Sequence, residues 1–171
     1  MQTPVAADAQ RDDGTLTVAD MISAYEKGVD ELRLAVAGMT GEQLRSRPVA
    51  GRWSTLEVVC HVADCDQFFA DRMKRTVAME RPLLPGADGF RYPEPLRYQE
   101  HDLQQELDLV AVTRLQTART LRLVAPDAWR RTAVHSETGL VTLRQLLRHA
   151  INHLRHHLRF VAEKRAALGL P

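Results

Sequence analysis

The sequence predicts an all-α fold, a four-helix bundle, and three observations carry that expectation. Apolar residues recur at helical spacing through four long segments. Capping-box signatures (Ser/Thr, then Glu/Gln three residues on) stand before helical stretches at Thr40–Gln43, Ser54–Glu57 and Thr142–Gln145. Gly- and Pro-rich stretches separate the segments, and neither a strand-rich region nor a solenoid-length repeat interrupts them.

The first long helix is expected from about Val18 to Met39, with Met21, Tyr25, Val29, Leu32 and Val36 on one stripe. Gly38, Gly41 and Pro48 then break the pattern around a short helix over Glu42 to Arg47. Ser54 starts the second long helix, whose stripe (Val58, Val62, Cys65, Phe69, Met73) fades near Met79. Residues 81–100 carry Pro82, Pro85, Pro93 and Pro95, so they form a long connection. It reads either as a functional loop or as a plain crossover joining two parallel helices. The third long helix spans about Asp102 to Ala125, with Leu103, Leu107, Val110, Ala118 and Leu121 inward and Pro126 following. A short irregular hairpin is expected within Trp129 to Leu140, around a Glu-Thr-Gly turn. The fourth long helix then runs from the Thr142 cap to about Leu168, before Gly169 and Pro171.

Composition narrows the class. A chain of 171 residues that is 44% hydrophobic suffices for one domain with a sizeable core. Net charge is +1 with acids and bases interspersed, which points away from nucleic acid and from an anionic membrane surface. The basic residues of the last helix, from Arg144 to Arg165, read as a solvated flank. No apolar run is long enough to span a bilayer. Residues 1–15 are polar and lack a signal-peptide core, so the expectation is a flexible tail, a single domain over 16–171 and a cytoplasmic location. Cys60 and Cys65, five apart on a helix, point in different directions. Neither a local disulfide nor a C-x-x-C zinc site is natural, and both read as buried or half-buried free thiols.

The chemistry concentrates in histidine. His149, His153, His156 and His157 fall within nine residues of the last helix. Laid out at about 100° per residue, His157 falls inside the apolar arc of Leu143, Leu146, Leu147, Leu154, Leu158 and Val161, and His153 lies at its edge. His149 and His156 lie further round, beside Arg148, Asn152, Arg155 and Arg159, and read as solvent-side. An i,i+4 pair stacks two imidazoles on one face at about 6 Å along the axis, a spacing at which they can share an ion. His61, beside the stripe of the second helix, is the third candidate, provided that the second and fourth helices are neighbours. Three imidazoles on an apolar wall would leave a metal with an open coordination position. The alternative is a metal-free trio hydrogen-bonded within the core. Asp64 is a candidate partner for a ligating ring, or an ordinary surface aspartate.

These residues carry a family resemblance. Gly51-Arg52-Trp53-Ser54, Glu57 and His61-Val62-Ala63-Asp64 resemble the second-helix motif of the DinB/YfiT-like metalloprotein superfamily. Thr142-Leu143, Leu146-Leu147-Arg148-His149 and His153-Leu154-Arg155-His156-His157 resemble its fourth-helix motif. The resemblance covers essentially the whole chain. It implies a bundle in up-down-down-up order with a long crossover between the second and third long helices. It also implies a divalent metal held by His61, His153 and His157, and a homodimer.

The resemblance implies two kinds of reaction on a small-molecule substrate: thiol-dependent S-transfer or isomerisation using a low-molecular-weight thiol such as bacillithiol or mycothiol, and metal-dependent hydrolysis. Fold and metal do not choose between them. Zinc and nickel suit imidazole best, with iron or manganese as further options. Asp64, Glu57 and His149 are candidates for a general base by position, and Arg52, Arg91 and Arg97 for binding an anionic substrate from the loops. The contrasting expectation is a non-enzymatic, metal-stabilised bundle serving as a stress-related or dimeric interaction protein. An enzyme requires a cavity at the open position, bordered by residues 81–100; the alternative requires an occluded site.

Overall fold

The computed structural model describes residues 16–171, so the expected tail over 1–15 lies outside the described residues. Capping boxes open α1 (Val18–Val36) at Thr17, α2 (Gly41–Arg45) at Thr40, α3 (Thr55–Ala78) at Ser54 and α5 (Leu143–Ala167) at Thr142. In each, the hydroxyl accepts an orphan amide and the residue three on accepts the cap's own amide. α4 (Leu103–Leu123) starts at Asp102, whose carboxylate accepts from the Gln105 amide at 2.9 Å. Two helices end earlier than their apolar patterns suggest. α1 stops at Val36 because Ala37 turns extended (ψ 138°) and Gly38 takes φ 74°. α4 stops at Leu123 because Pro126 disfavours helical backbone before it, and Ala125 is extended at ψ 149°.

Named contacts set the direction of each long helix. Arg33 pairs with Asp108 and Glu26 with Arg122, so α1 and α4 run antiparallel. Arg144 donates to Leu16 O at 2.8 Å and Arg165 to Ala35 O at 3.2 Å, so α1 and α5 run parallel. Cys60 lies beside Glu106 and Asp66 pairs with Arg114, which makes α3 and α4 parallel. His61 lies against His157 and Phe69 against His149, so α3 and α5 are antiparallel. The order is up-down-down-up, and the parallel pair α3/α4 explains why a long crossover must join them.

That crossover is more structured than its prolines suggest. Its β1 (Leu83–Leu84) pairs in parallel with β2 (Thr132–His135), which pairs antiparallel with β3 (Gly139–Thr142), so the expected hairpin gains a third strand. Two residues are too few to show a period-2 pattern, so sequence alone could not reveal β1. Further along, Tyr98 is buried and its hydroxyl donates to the Asp64 carboxylate, which pins the crossover to α3.

Apolar residues fill the core in two halves, one around Leu56, Val59, Val110 and Val161, the other around Tyr25, Met73, Leu143 and Leu147. Crossing it is a fully buried ion pair: Arg114 donates to Asp66 through Nε at 2.6 Å and Nη2 at 2.9 Å, and through Nη1 to Tyr25 O at 2.9 Å. One side chain thereby joins α1, α3 and α4. α1 leaves room for it at Gly28, where a Cβ would lie 2.4 Å from Arg114 Nη1 and 2.5 Å from Leu154 Cδ2. No helix among the described residues is long and apolar enough to cross a membrane.

Candidate metal centre

His61 lies on α3 less than two turns beyond the Ser54 cap, and the cap sets its azimuth. Glu57, the box residue, accepts from Ser54 N at 2.7 Å and receives both ends of the Arg47 guanidinium, at 3.0 and 2.5 Å. Burial would raise the Glu57 carboxyl, but the hydrogen bonds from Arg47 and Ser54 outweigh it and hold the group below its ordinary value. Glu57 is therefore committed to anchoring α3, and its position as a candidate base does not survive.

On α5 the i,i+4 pair faces α3 as its spacing predicts. The ring centroids of His61, His153 and His157 form a triangle: 5.2 Å for His61–His153, 4.6 Å for His61–His157 and 4.5 Å for His153–His157. Solvent reaches only 2%, 6% and 1% of these residues. His61 Nε2 and His153 Nε2 stand 3.2 Å apart. Among the described residues, His153 Nδ1 and both ring nitrogens of His157 find no hydrogen-bond partner. Buried polar atoms without partners cost about 1–3 kcal/mol each. The cluster is thus poorly satisfied as a metal-free network, and its donor chemistry fits a divalent cation.

Electrostatics keep the donors in the form a cation needs. Burial pushes His61 down to about 4, with a hydrogen bond to the Gly89 backbone and the Asp64 charge opposing it. Burial and the neighbouring imidazoles push His157 to about 2 and His153 well below its ordinary value. All three rings are neutral at physiological pH. Gly89 of the crossover, not Asp64, orients the His61 ring; a Cβ there would sit 3.1 Å from Cε1 and 3.2 Å from Nδ1. Trp53 and Phe90 cover the same ring, at centroid distances of 5.0 and 5.5 Å.

A cavity of about 190 Å³ opens onto His61 and His153 and is bordered by Ala87, Gly89 and Phe90 of the crossover. Its walls carry residues that sequence reasoning placed elsewhere or passed over. His149 is not a solvent-side bystander: it lines the cavity against Phe69, and burial pushes it to about 4. Helical layout put it outside the apolar arc, but the hairpin covers that flank, which α5's own pattern cannot reveal. Cys65 is a cavity residue, with Sγ 3.6 Å from His61 Nε2, and burial raises its thiol to about 12. The signal was present in its i,i+4 relation to His61. Arg72 and His135 also line the cavity, and Arg72 donates to Pro85 O at 2.7 Å.

The loop arginines go a different way. Arg91 pairs with Asp88 at 2.7 Å and Arg97 with Glu100 at 2.5 Å, both solvent-exposed, and Arg52 lies over the Phe160 ring at 5.4 Å. None of the three lines this cavity. His156, by contrast, stays beside the cluster, edge-on to His157 and Phe160.

The metal-free protein is expected to lose stability as pH falls below about 6.5. An unfolded chain protonates its histidines near that value, whereas folded His61 and His149 resist until about 4. Between those values the unfolded state binds more protons, so acidification favours it, on the order of 3 kcal/mol for His61 alone. Melting temperatures of chelator-treated protein from about pH 7.5 to about pH 4.5 test this; a flat profile would contradict it.

Comparisons with known proteins agree with the bundle topology. Residues 24–161 match the family model of the DinB superfamily. The "Putative metal-dependent hydrolase OB0782" of Oceanobacillus iheyensis is 25% identical over 149 residues, covering 85% of this chain and 86% of that protein. The "Putative metal-dependent hydrolase YfiT" of Bacillus subtilis is 26% identical over 149 residues, 86% and 84% of the two chains. The solved structure of YfiT, described as a probable metal-dependent hydrolase with an unusual four-helix bundle topology, superposes with a TM-score of 0.86 at 23% identity over 94% of each chain. A mycothiol-dependent maleylpyruvate isomerase superposes with a TM-score of 0.68 at 14% identity, over 85% of this chain and 61% of that one. At these identities the two structures speak for the fold.

Proposed function

The chain belongs to the DinB superfamily, and on that premise we propose that it is a metal-dependent hydrolase of a small-molecule substrate, its divalent cation held by His61, His153 and His157. The observation that carries this reading is three neutral, buried imidazoles with ring nitrogens that lack partners, two of the rings (His61 and His153) standing at the wall of a cavity. Zinc or nickel is the expected cation, with iron or manganese as outcomes of the analysis of metal content.

A cation held there supplies positive charge that favours the deprotonated form of a neighbouring water and polarises an electrophile. The chain's own residues supply the rest. Phe68, Phe69 and Phe90 form apolar walls that limit water. The half-buried Arg72 guanidinium offers a fixed charge for an anionic group of the substrate. His149, neutral at physiological pH, offers an imidazole at the wall to a proton of the reacting pair.

Cavity size favours hydrolysis over thiol transfer. The volume of about 190 Å³ lies below the ~300–1,000 Å³ of pockets that enclose drug-sized ligands. Water therefore fits as second reactant more readily than a bulky low-molecular-weight thiol beside its acceptor. A cavity that reaches His61 and His153 also favours an enzyme over the non-enzymatic bundle, which requires an occluded site. A homodimer belongs to the same proposal and is read by sedimentation of the purified chain.

The test is turnover of small esters, amides and simple electrophiles by zinc- and nickel-loaded protein, with and without bacillithiol, mycothiol or glutathione. Hydrolysis without added thiol, abolished by chelation and by His157→Ala, is the expected result. Turnover only when a thiol is added would replace this reading with the transferase. Loaded protein inert in every arm would leave the interaction module. Retained turnover in the His157→Ala variant would remove the site as drawn.

A further inference from the structure

Cys65 lies one helical turn beyond His61 on α3 and projects to the same side. Its Sγ is 3.6 Å from His61 Nε2, and that nitrogen is 3.2 Å from His153 Nε2. One donor atom from each of these three residues lies within 4.8 Å of the others. Around a tetrahedral zinc, with nitrogen at about 2.0–2.1 Å and sulfur at about 2.3 Å, neighbouring donors stand about 3.3 Å apart for two nitrogens and about 3.6 Å for nitrogen and sulfur. The observed separations match both. His157 supplies the independent sign of a missing ligand, being 1% exposed with both ring nitrogens unpartnered beside the other two rings.

We propose that Cys65 donates its sulfur to the same cation as His61 and His153, making the site a mixed nitrogen–sulfur centre. This rests on the metal-site reading above and extends it. On binding, the S–H bond breaks as the sulfur–metal bond forms, and the proton leaves to solvent. A sulfur donor selects zinc over manganese, a discrimination that three imidazoles make less sharply. The sulfur lines the cavity together with His61 and His153, whereas His157 does not, so Cys65 is one of the donors that face an incoming substrate.

The other thiol serves as a control. Cys60 is buried on a different side of α3, its Sγ 3.9 Å from Tyr98 O. It neighbours His101 and Glu106, which already bond each other at 2.9 Å, while His101 also bonds Leu96 O at 3.0 Å.

Cobalt(II) titration of the full chain tests the proposal. Wild type and Cys60→Ala should show an intense near-ultraviolet thiolate-to-cobalt charge-transfer band. Cys65→Ser should lack the band while still taking up cobalt through the histidines. Zinc affinity of that variant should fall about tenfold or more, since losing even an outer-shell partner costs about 10–100-fold. Melting curves of the metal-free variants confirm that each is folded. Cobalt bound without the band in wild type, a band that survives Cys65→Ser, or a band lost in Cys60→Ala would overturn this inference while leaving the histidine site standing. No cobalt uptake by wild type would overturn both.

Discussion

Replacing His153 with alanine is expected to abolish uptake of a divalent cation, leaving less than about 0.1 equivalent after reconstitution. His153 lies close to both other rings, at 5.2 Å from His61 and 4.5 Å from His157, and its Nε2 faces that of His61. Removing it leaves donors on two helices without the imidazole between them. Thermal stability reads the same loss. In the wild type, a cation at about 1,000 times its Kd adds about 4 kcal/mol. For a domain of this size that raises Tm by roughly 8–16 °C. The variant should melt at the same temperature with and without cation. Without metal the variant should lose some stability to the cavity that the buried ring leaves, partly offset because its Nδ1 has no partner to lose. Near-stoichiometric uptake by folded His153→Ala protein would refute the site.

Asp66→Asn is expected to destabilise the fold by about 3–5 kcal/mol, the range for removing one partner of a buried ion pair. Arg114 is wholly buried, and its guanidinium lies 4.6 Å from the Tyr25 ring centroid. Two of its nitrogens donate to the Asp66 carboxylate. Neutralising Asp66 leaves a cation in the core with a backbone carbonyl and an amide in place of a carboxylate. Tm should fall by roughly 6–20 °C. The double variant Asp66→Leu, Arg114→Met should recover most of that loss, because desolvation of the pair largely offsets its attraction. A fall of less than about 1 kcal/mol for Asp66→Asn would show that the pair is not held as described. Metal uptake should persist in folded Asp66→Asn protein, since neither residue offers a donor to the histidine cluster.

Much of the fold was legible because its signals are local. Thr40, Ser54 and Thr142 announce their helices through residues three positions away, and the stripe from Val58 to Met73 needs only the 3.6-residue period. His153 and His157 were legible for the same reason: their azimuth follows from the apolar arc of their own helix. His61 needed more, since its own position is ambiguous. The family motifs supplied its partners, and α3 and α5 then proved adjacent.

What escaped has the opposite character. The two-residue β1 carries no period, and its pairing with β2 depends on residues about fifty positions away. The hairpin turns His149 from an apparent surface residue into a cavity wall, and Glu57, a candidate base by position, is consumed by Arg47 and Ser54. Arg91 and Arg97 were plausible anion binders until their near neighbours Asp88 and Glu100 took them. The buried Arg114 was invisible because one charged residue on a helix reads as surface until a partner fills its whole hydrogen-bonding fork.

By itself, then, the sequence determined the helices, their inward faces and the two α5 histidines, because hydrophobic period and capping act within a few residues. The tertiary structure decided which atoms meet: the imidazoles of α3 and α5 across a core, the Gly89 backbone against His61, the Cys65 sulfur beside it and the cavity in front. Those contacts join residues far apart in the chain, and their distances follow from how helices, crossover and hairpin pack, which no local pattern encodes.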